Sequence, residues 1–330
     1  MHSIYNKHVW NRFAEPDSEM DWGNQFMKVW QILAILVIVS LVGVLFFLYK
    51  LTAYVAKPVY HTVADTAQYM KEQGFWRDYD AMKKEDWRIS SYDGYILHAT
   101  FIPAAEPGDR YVIISHGYTS NRMGSLKYMH LFHELGYNCL IYDNRSHGDN
   151  RRGICTMGKR ESSDLLALIR YVYQRFGNDI YLGLHGESMG AALQILALRE
   201  KPKLQFIVND CGFARLMDVI THNAGKMLHL PKWICYPANV ASLCYFGFSY
   251  TELNPVDALK ENRVPICFMH GAEDDFIPCS HSEQMHAAAQ GYSELHLFPG
   301  AEHALSIDSD EKRYAQIVCD FLEKIKEIKE

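Results

Sequence analysis

The sequence contains no C-x-x-C pair. Its eight cysteines, at positions 139, 155, 211, 235, 244, 267, 279 and 319, are scattered along the chain, which excludes zinc ribbons and thioredoxin-like redox motifs. Several fall inside apolar runs such as PICFMH, where a free thiol behaves as a small core residue. That usage favours a reducing compartment, although an even count leaves disulfides open. Long basic runs are missing too. The longest clusters are Arg151-Arg152 and Lys159-Arg160, and the formal charge is −6 at pH 7, so a phosphate backbone is not an expected partner. Neither an internal repeat nor a low-complexity segment occurs. His130 and His133, in HLFHE, lack the order of a zinc protease and read as helix-surface histidines. No metal or organic cofactor is expected.

One long hydrophobic run stands out against this composition. Val29 to Tyr49 reads VWQILAILVIVSLVGVLFFLY, without a charge and with only Gln31 and Ser40 polar. A run of this length exceeds the roughly 18 residues needed to read a membrane-crossing helix. Trp30 and Tyr49 stand at its ends, where amphipathic rings favour the membrane interface. The run is too long, and begins too far into the chain, for a cleaved signal peptide. The expected organisation is an N-terminal flank over residues 1–28, a single-pass anchor over 29–49, and a globular domain over 59–330. Lys7, Arg12 and Lys28 precede the run, and Lys50, Lys57 and Lys71 follow it, so the Lys/Arg balance sets no orientation. The cysteines lean toward a cytoplasmic domain and the N-terminal helix, resembling a signal anchor, toward the opposite side.

From about Val59 the chain alternates short apolar runs with helical patterns. WRISSYDGYILHATFIP reads as two strands joined at Asp93-Gly94. YVIIS (111–115), NCLIYD (138–143), IYLGLHG (180–186), LQFIVND (204–210), PICFMHG (265–271) and ELHLFPG (294–300) read as strands buried on both faces. Such alternation predicts an α/β fold with a doubly wound, mostly parallel sheet. Between the strands at 204–210 and 265–271 the rhythm breaks. Residues at about 213–252 include MLHLPKWICYPANVASLCYFGFSY, rich in aromatic and apolar side chains, and read as an inserted helical lid over an apolar substrate.

The chemistry centres on LHGESMGAA, where Ser188 sits between Gly186 and Gly190, after a strand and before a helix. A serine on such a sharp turn projects its hydroxyl above the sheet edge, and the glycines relieve the crowding. A free serine is a weak nucleophile and needs an oriented base. PICFMHG runs into AEDDFIP, placing Asp274 and Asp275 after a strand end, and LHLFPG runs into AEHALS, placing His303 in the next such loop. Open α/β sheets gather their sites at these strand ends. For charge developing on a substrate carbonyl, the Met189 N–H supplies one donor, and the loop in YVIISHGYTSN supplies a second through Tyr118 N–H. His116, His147 and Glu187 read as residues that shape or satisfy these loops.

Taken in order, HGYTSN, YDNRSHGDN, LHGESMGAA, HGAEDDFIP and AEHALS resemble the α/β-hydrolase superfamily. The branch is that of bacterial membrane-anchored serine hydrolases similar to serine aminopeptidase-like and monoacylglycerol-lipase-like enzymes. The resemblance covers roughly Trp87 to the C-terminus. It implies the α/β-hydrolase fold with Ser188 as nucleophile, Asp274 as acid, the fifth position of H-G-x-x-D, and His303 as base. Tyr118 and Met189 fall on its oxyanion donors. The implied activity is cleavage of carboxylic esters of acyl or lipid-like substrates through an acyl-enzyme. A peptidase or thioesterase would use the same three residues, and a non-catalytic binding protein on this fold is the alternative of a different class. Epoxide opening and dehalogenation need an Asp where Ser188 stands.

Overall fold

The computed structural model describes residues 22–328. The chain divides into two units, the first ending at Phe47 and the second beginning at Leu48. A single 35-residue helix, α1 (Trp22–Ala56), contains the boundary. From Trp22 to Phe47 its side chains are exposed, and it is long and apolar enough to cross a membrane. The last turns differ. Thr52 and Ala56 are fully buried, and Leu48, Leu51 and Val55 pack on a core cluster with Phe213, Phe246 and Tyr250. The helix thus runs beyond the uncharged stretch at both ends, and its final nine residues belong with the globular unit.

Helix α2 (Val63–Glu72) follows, capped by Thr62, and then the sheet begins. Its strands are β1 (Glu85–Ser90), β2 (Ile96–Ile102), β3 (Arg110–Ser115), β4 (Asn138–Tyr142), β5 (Tyr181–Glu187), β6 (Phe206–Asp210), β7 (Ile266–Gly271) and β8 (Ser293–Phe298), in the order β1-β2-β4-β3-β5-β6-β7-β8. Only β2 runs against the others. Helices α3 (Leu126–Glu134), α4 (Lys159–Phe176), α5 (Met189–Ala197), α6 (Leu216–Lys226), α7 (Cys235–Phe246), α8 (Pro255–Ala258), α9 (Ser280–Ala288), α10 (Ser306–Ser309) and α11 (Glu311–Glu327) complete the α-helices among the described residues. This is the α/β-hydrolase fold the sequence predicts.

The pleat sends alternate residues to opposite faces. Ile113, Leu184 and Phe268 meet α4, α5 and α9 on one side, while Val112, Ile114 and Met269 meet α3 and α11 on the other. Two readings need correction. The run ELHLFPG is not a strand buried on both faces: β8 is the edge of the sheet, and its residues are half-buried up to Phe298. His130 is not a surface histidine either. It is buried, with Nε2 3.0 Å from the Phe75 carbonyl, so the polar face of α3 is covered by the segment after α2. All eight thiols are free. Helices α6, α7 and the short α8 lie in the interval between β6 and β7, and α6 and α7 share a core cluster with Phe213 and Tyr250.

Candidate active site

Strand β5 ends at Glu187, helix α5 starts at Met189, and Ser188 makes the turn between them with φ 55° and ψ −115°. A side-chain-bearing residue at positive φ is strained and persists only where its surroundings hold it. Here the two glycines are sterically required. A Cβ on Gly186 would stand 2.5 Å from the Gly190 carbonyl oxygen, and one on Gly190 would stand 2.1 Å from that of Ser115. The Ser188 N–H donates to the Asp210 carbonyl at 2.8 Å, pinning the turn to β6.

The loops after β7 and β8 bring the other two predicted residues to this turn. Ser188 Oγ lies 2.9 Å from His303 Nε2, and His303 Nδ1 lies 2.6 Å from Asp274 Oδ2. A carboxylate only accepts, so Nδ1 carries the proton and Nε2 is left to accept from the serine hydroxyl. Asp274 is buried, and burial alone would raise its pKa. Hydrogen bonds from His270 and His303 and from the Ile277 N–H outweigh this and hold the carboxyl well below its usual range. Its neighbour Asp275 faces away and pairs with Lys226 at 2.6 Å. Chemically the arrangement lets an imidazole take the serine proton while a buried carboxylate orients the ring and stabilises its charged form.

Ser188 and His303 open into an apolar cavity of about 500 Å³, inside the range of small-ligand sites. Leu51 and Val55 of α1, Phe213, and Leu216 and Ile220 of α6 are among its walls, and Tyr118 and Met189 line it beside the serine. The Met189 N–H is one of the first-turn donors of α5 that has no partner within the helix. Tyr118 also looks outward. Its hydroxyl donates to the Val55 carbonyl at 2.9 Å, joining this loop to the end of α1. Below it, His116 and His147 are buried and shape the loops: Asn144 N–H donates to His116 Nε2 at 2.8 Å, and Thr119 N–H to His147 Nε2 at 3.2 Å. Burial keeps both rings neutral, pushing their pKa values down.

Two supporting residues were not singled out in the sequence. His270, fully buried on β7, donates through Nε2 to Asp274 at 3.1 Å and to the Ile277 carbonyl at 2.7 Å, while Ser282 donates to its Nδ1 at 2.7 Å. It lies in the H-G that opens HGAEDD, the nearest thing to a signal. Lys127, on α3, is also buried, its Nζ 2.8 Å from Glu187, 3.1 Å from Asp308 and 2.8 Å from the Ala304 carbonyl. Its only trace is one charge amid the apolar LKYMHLF. Metal-ligating atoms converge at two places among the described residues. Cys211, Asp274 and His303 coincide with the serine site, and in Cys267, Glu294 and His296 the carboxylate is already held by Lys324 at 2.9 Å.

A model of the prolyl oligopeptidase family matches residues 125–327. The Bacillus subtilis protein YqkD is 30% identical over 253 residues, covering 76% of this chain and 83% of the relative. Among solved structures, the Pyrococcus furiosus esterase Pf2001 superposes with a TM-score of 0.62 at 22% identity, over 76% of this chain and 94% of the esterase. An acylaminoacyl peptidase from Pyrococcus horikoshii gives a TM-score of 0.57 at 14% identity, over 74% of this chain and 41% of the peptidase. These likenesses in structure speak for the fold.

Proposed function

Because the chain belongs to the prolyl oligopeptidase family of α/β-hydrolase-fold serine hydrolases, we propose that it cleaves carboxylic esters with an apolar acyl group, using Ser188 as nucleophile. In this reading Ser188 Oγ attacks the carbonyl carbon as His303 Nε2 takes its proton. The Tyr118 and Met189 N–H groups stabilise the oxyanion of the tetrahedral intermediate. His303 then returns the proton to the departing alcohol, and the acyl group stays on Ser188 until a water, deprotonated by the same imidazole, releases it. Asp274 holds the Nδ1 proton throughout. Residues 29–49 are the membrane anchor in this reading, residues 59–330 the hydrolase, and 213–252 the lid.

The observation that carries the proposal is the Ser188–His303–Asp274 relay opening into an apolar cavity. The cavity also favours ester over peptide. This holds against an aminopeptidase, which must neutralise a substrate ammonium: among the described residues no carboxylate lines this cavity. The test compares the full chain with Ser188→Ala on p-nitrophenyl esters of increasing acyl length. Loss of the nucleophile should cost at least about 10³-fold in kcat, with the optimum at medium to long chains. Labelling of Ser188 by a fluorophosphonate without turnover of any ester would instead favour a thioester or peptide substrate. Absence of both would leave a binding protein.

A further inference from the structure

Helix α7 carries no charged side chain: it reads CYPANVASLCYF. Its inner face, with Cys235, Ala238, Ala241, Ser242 and Phe246, is buried. The opposite face is apolar and bare. Trp233, in the turn that leads into α7, Tyr236, Val240 and Leu243 are 63, 68, 59 and 51% exposed. Steps of three, four and three residues put all four on one side of a helix at 3.6 residues per turn. A contiguous apolar face of this kind on a water-soluble surface marks an interaction site.

The occupant is indicated by what α7 touches at its far end. Tyr49 makes an edge-to-face contact with Tyr245 at 5.4 Å and stacks on Phe246 at 5.9 Å. Tyr49 closes the uncharged stretch that starts at Val29 and lies two residues past Phe47, the last residue of the first unit. At about 1.5 Å per helical residue that separation is only ~3 Å along the axis. The C-terminal end of α7 therefore packs on the residue of α1 that closes the apolar stretch. Trp233 and Tyr236 on the bare face are the side chains that prefer a membrane interface, and Lys232 beside them is exposed, placed to meet lipid phosphates.

We propose that the bare face of α7 lies in the interface of the same bilayer that α1 crosses, so that the cavity receives its substrate from the membrane. Cys235 and Ala238, on the inner side of this helix, line the cavity; one helix thus separates bilayer from active site. The substrate class follows as an acyl ester resident in the bilayer, a part of the proposal that rests on the ester-hydrolase reading. The docking itself does not.

The test uses the full chain in vesicles of phosphatidylcholine and phosphatidylglycerol. Wild type and Trp233→Phe are compared with and without brominated acyl chains in the lipid; the difference between the two isolates Trp233 emission from that of the other tryptophans. Docking expects the difference signal to fall at least twofold with brominated lipid. An unchanged signal overturns the proposal, and a Leu243→Cys variant that then cross-links to itself would assign the face to a second copy of the chain. In a second arm, Tyr236→Ser, Val240→Ser and Leu243→Ser are combined. Turnover of a long-chain ester held in the vesicles should fall tenfold or more, with turnover of a water-soluble short ester unchanged. Equal loss on both substrates counts against docking and for a misfolded lid. A wild type inactive on every ester sinks the hydrolase reading, while the quenching still decides the docking.

Discussion

Behind Ser188, the carboxylate of Glu187 is met by two donors from consecutive residues of α3: Lys127 Nζ at 2.8 Å and the Tyr128 hydroxyl at 2.7 Å. The same ammonium reaches the Ala304 carbonyl and Asp308, on the segment that follows His303. One side chain therefore ties the residue before the serine to the residue after the imidazole. Lys127→Met would leave two carboxylates without their cation, and removing one member of a buried pair costs roughly 3–5 kcal/mol. We expect a clear fall in Tm together with about a tenfold fall in kcat at nearly constant KM, because Lys127 positions the reacting groups without touching substrate. A stability loss with unchanged kcat, measured well below Tm, would confine Lys127 to structure. This link was not legible in the sequence. Ser188, Asp274 and His303 could be picked out because each sits in a loop with strand-end punctuation, whereas Lys127 is read only when α3 is laid against β5.

Strand β5 shows how an element carries charge-state information away from the site. His185, on its buried stretch, lies between the Tyr128 and Phe132 rings of α3, with Nε2 2.8 Å from the Tyr314 hydroxyl of α11. Burial, reinforced by the Lys127 charge, drives its pKa down to about 3. The folded-state value is depressed below the unfolded one, so the contribution to stability is complete above about pH 6.5 and is lost as pH falls toward 3. Asp210, at the end of β6, has the opposite sign. Burial raises its pKa to about 6 against the pull of Lys127, so its contribution is lost as pH rises from 3.8 through 6. Replacing His185 by Phe removes the first dependence and keeps the second. The Tm advantage of wild type over His185→Phe should therefore shrink as pH is lowered from 7 to 4 in thermal melts; a constant gap would mean that the ring does not charge in this window. The strands themselves were legible as apolar runs, but periodicity does not say which of them is the edge, and β8 reads in sequence like an inner strand.

At the scale of the whole chain, the uncharged stretch from Val29 and the hydrolase domain are distinct in composition, and both were legible. The place where one passes into the other was not, because the apolar run ends at Tyr49 and residues 50–58 carry no pattern that assigns them to either part, whereas in the structure Leu51, Tyr54 and Val55 form a wall of the cavity beside Ser188. A chain begun at Leu48 should keep its short-ester activity within about threefold of the full chain. One begun at Val59 lacks Leu51, Tyr54 and Val55 from the cavity and the acceptor of the Tyr118 hydroxyl; under the proposed mechanism that unsettles one oxyanion donor, and we expect a loss of order 10²-fold in kcat. Assays of the two truncations decide the point; equal activity would mean that the wall is dispensable. The bond from Tyr118 to Val55 carries a consequence for the protein's lifetime in a cell. In the proposed reading, a protease that cuts between the apolar span and Leu48 would free a domain that keeps its cavity wall, while a cut just before Val59 would free one stripped of it, so the cleavage position itself would select between shedding and inactivation.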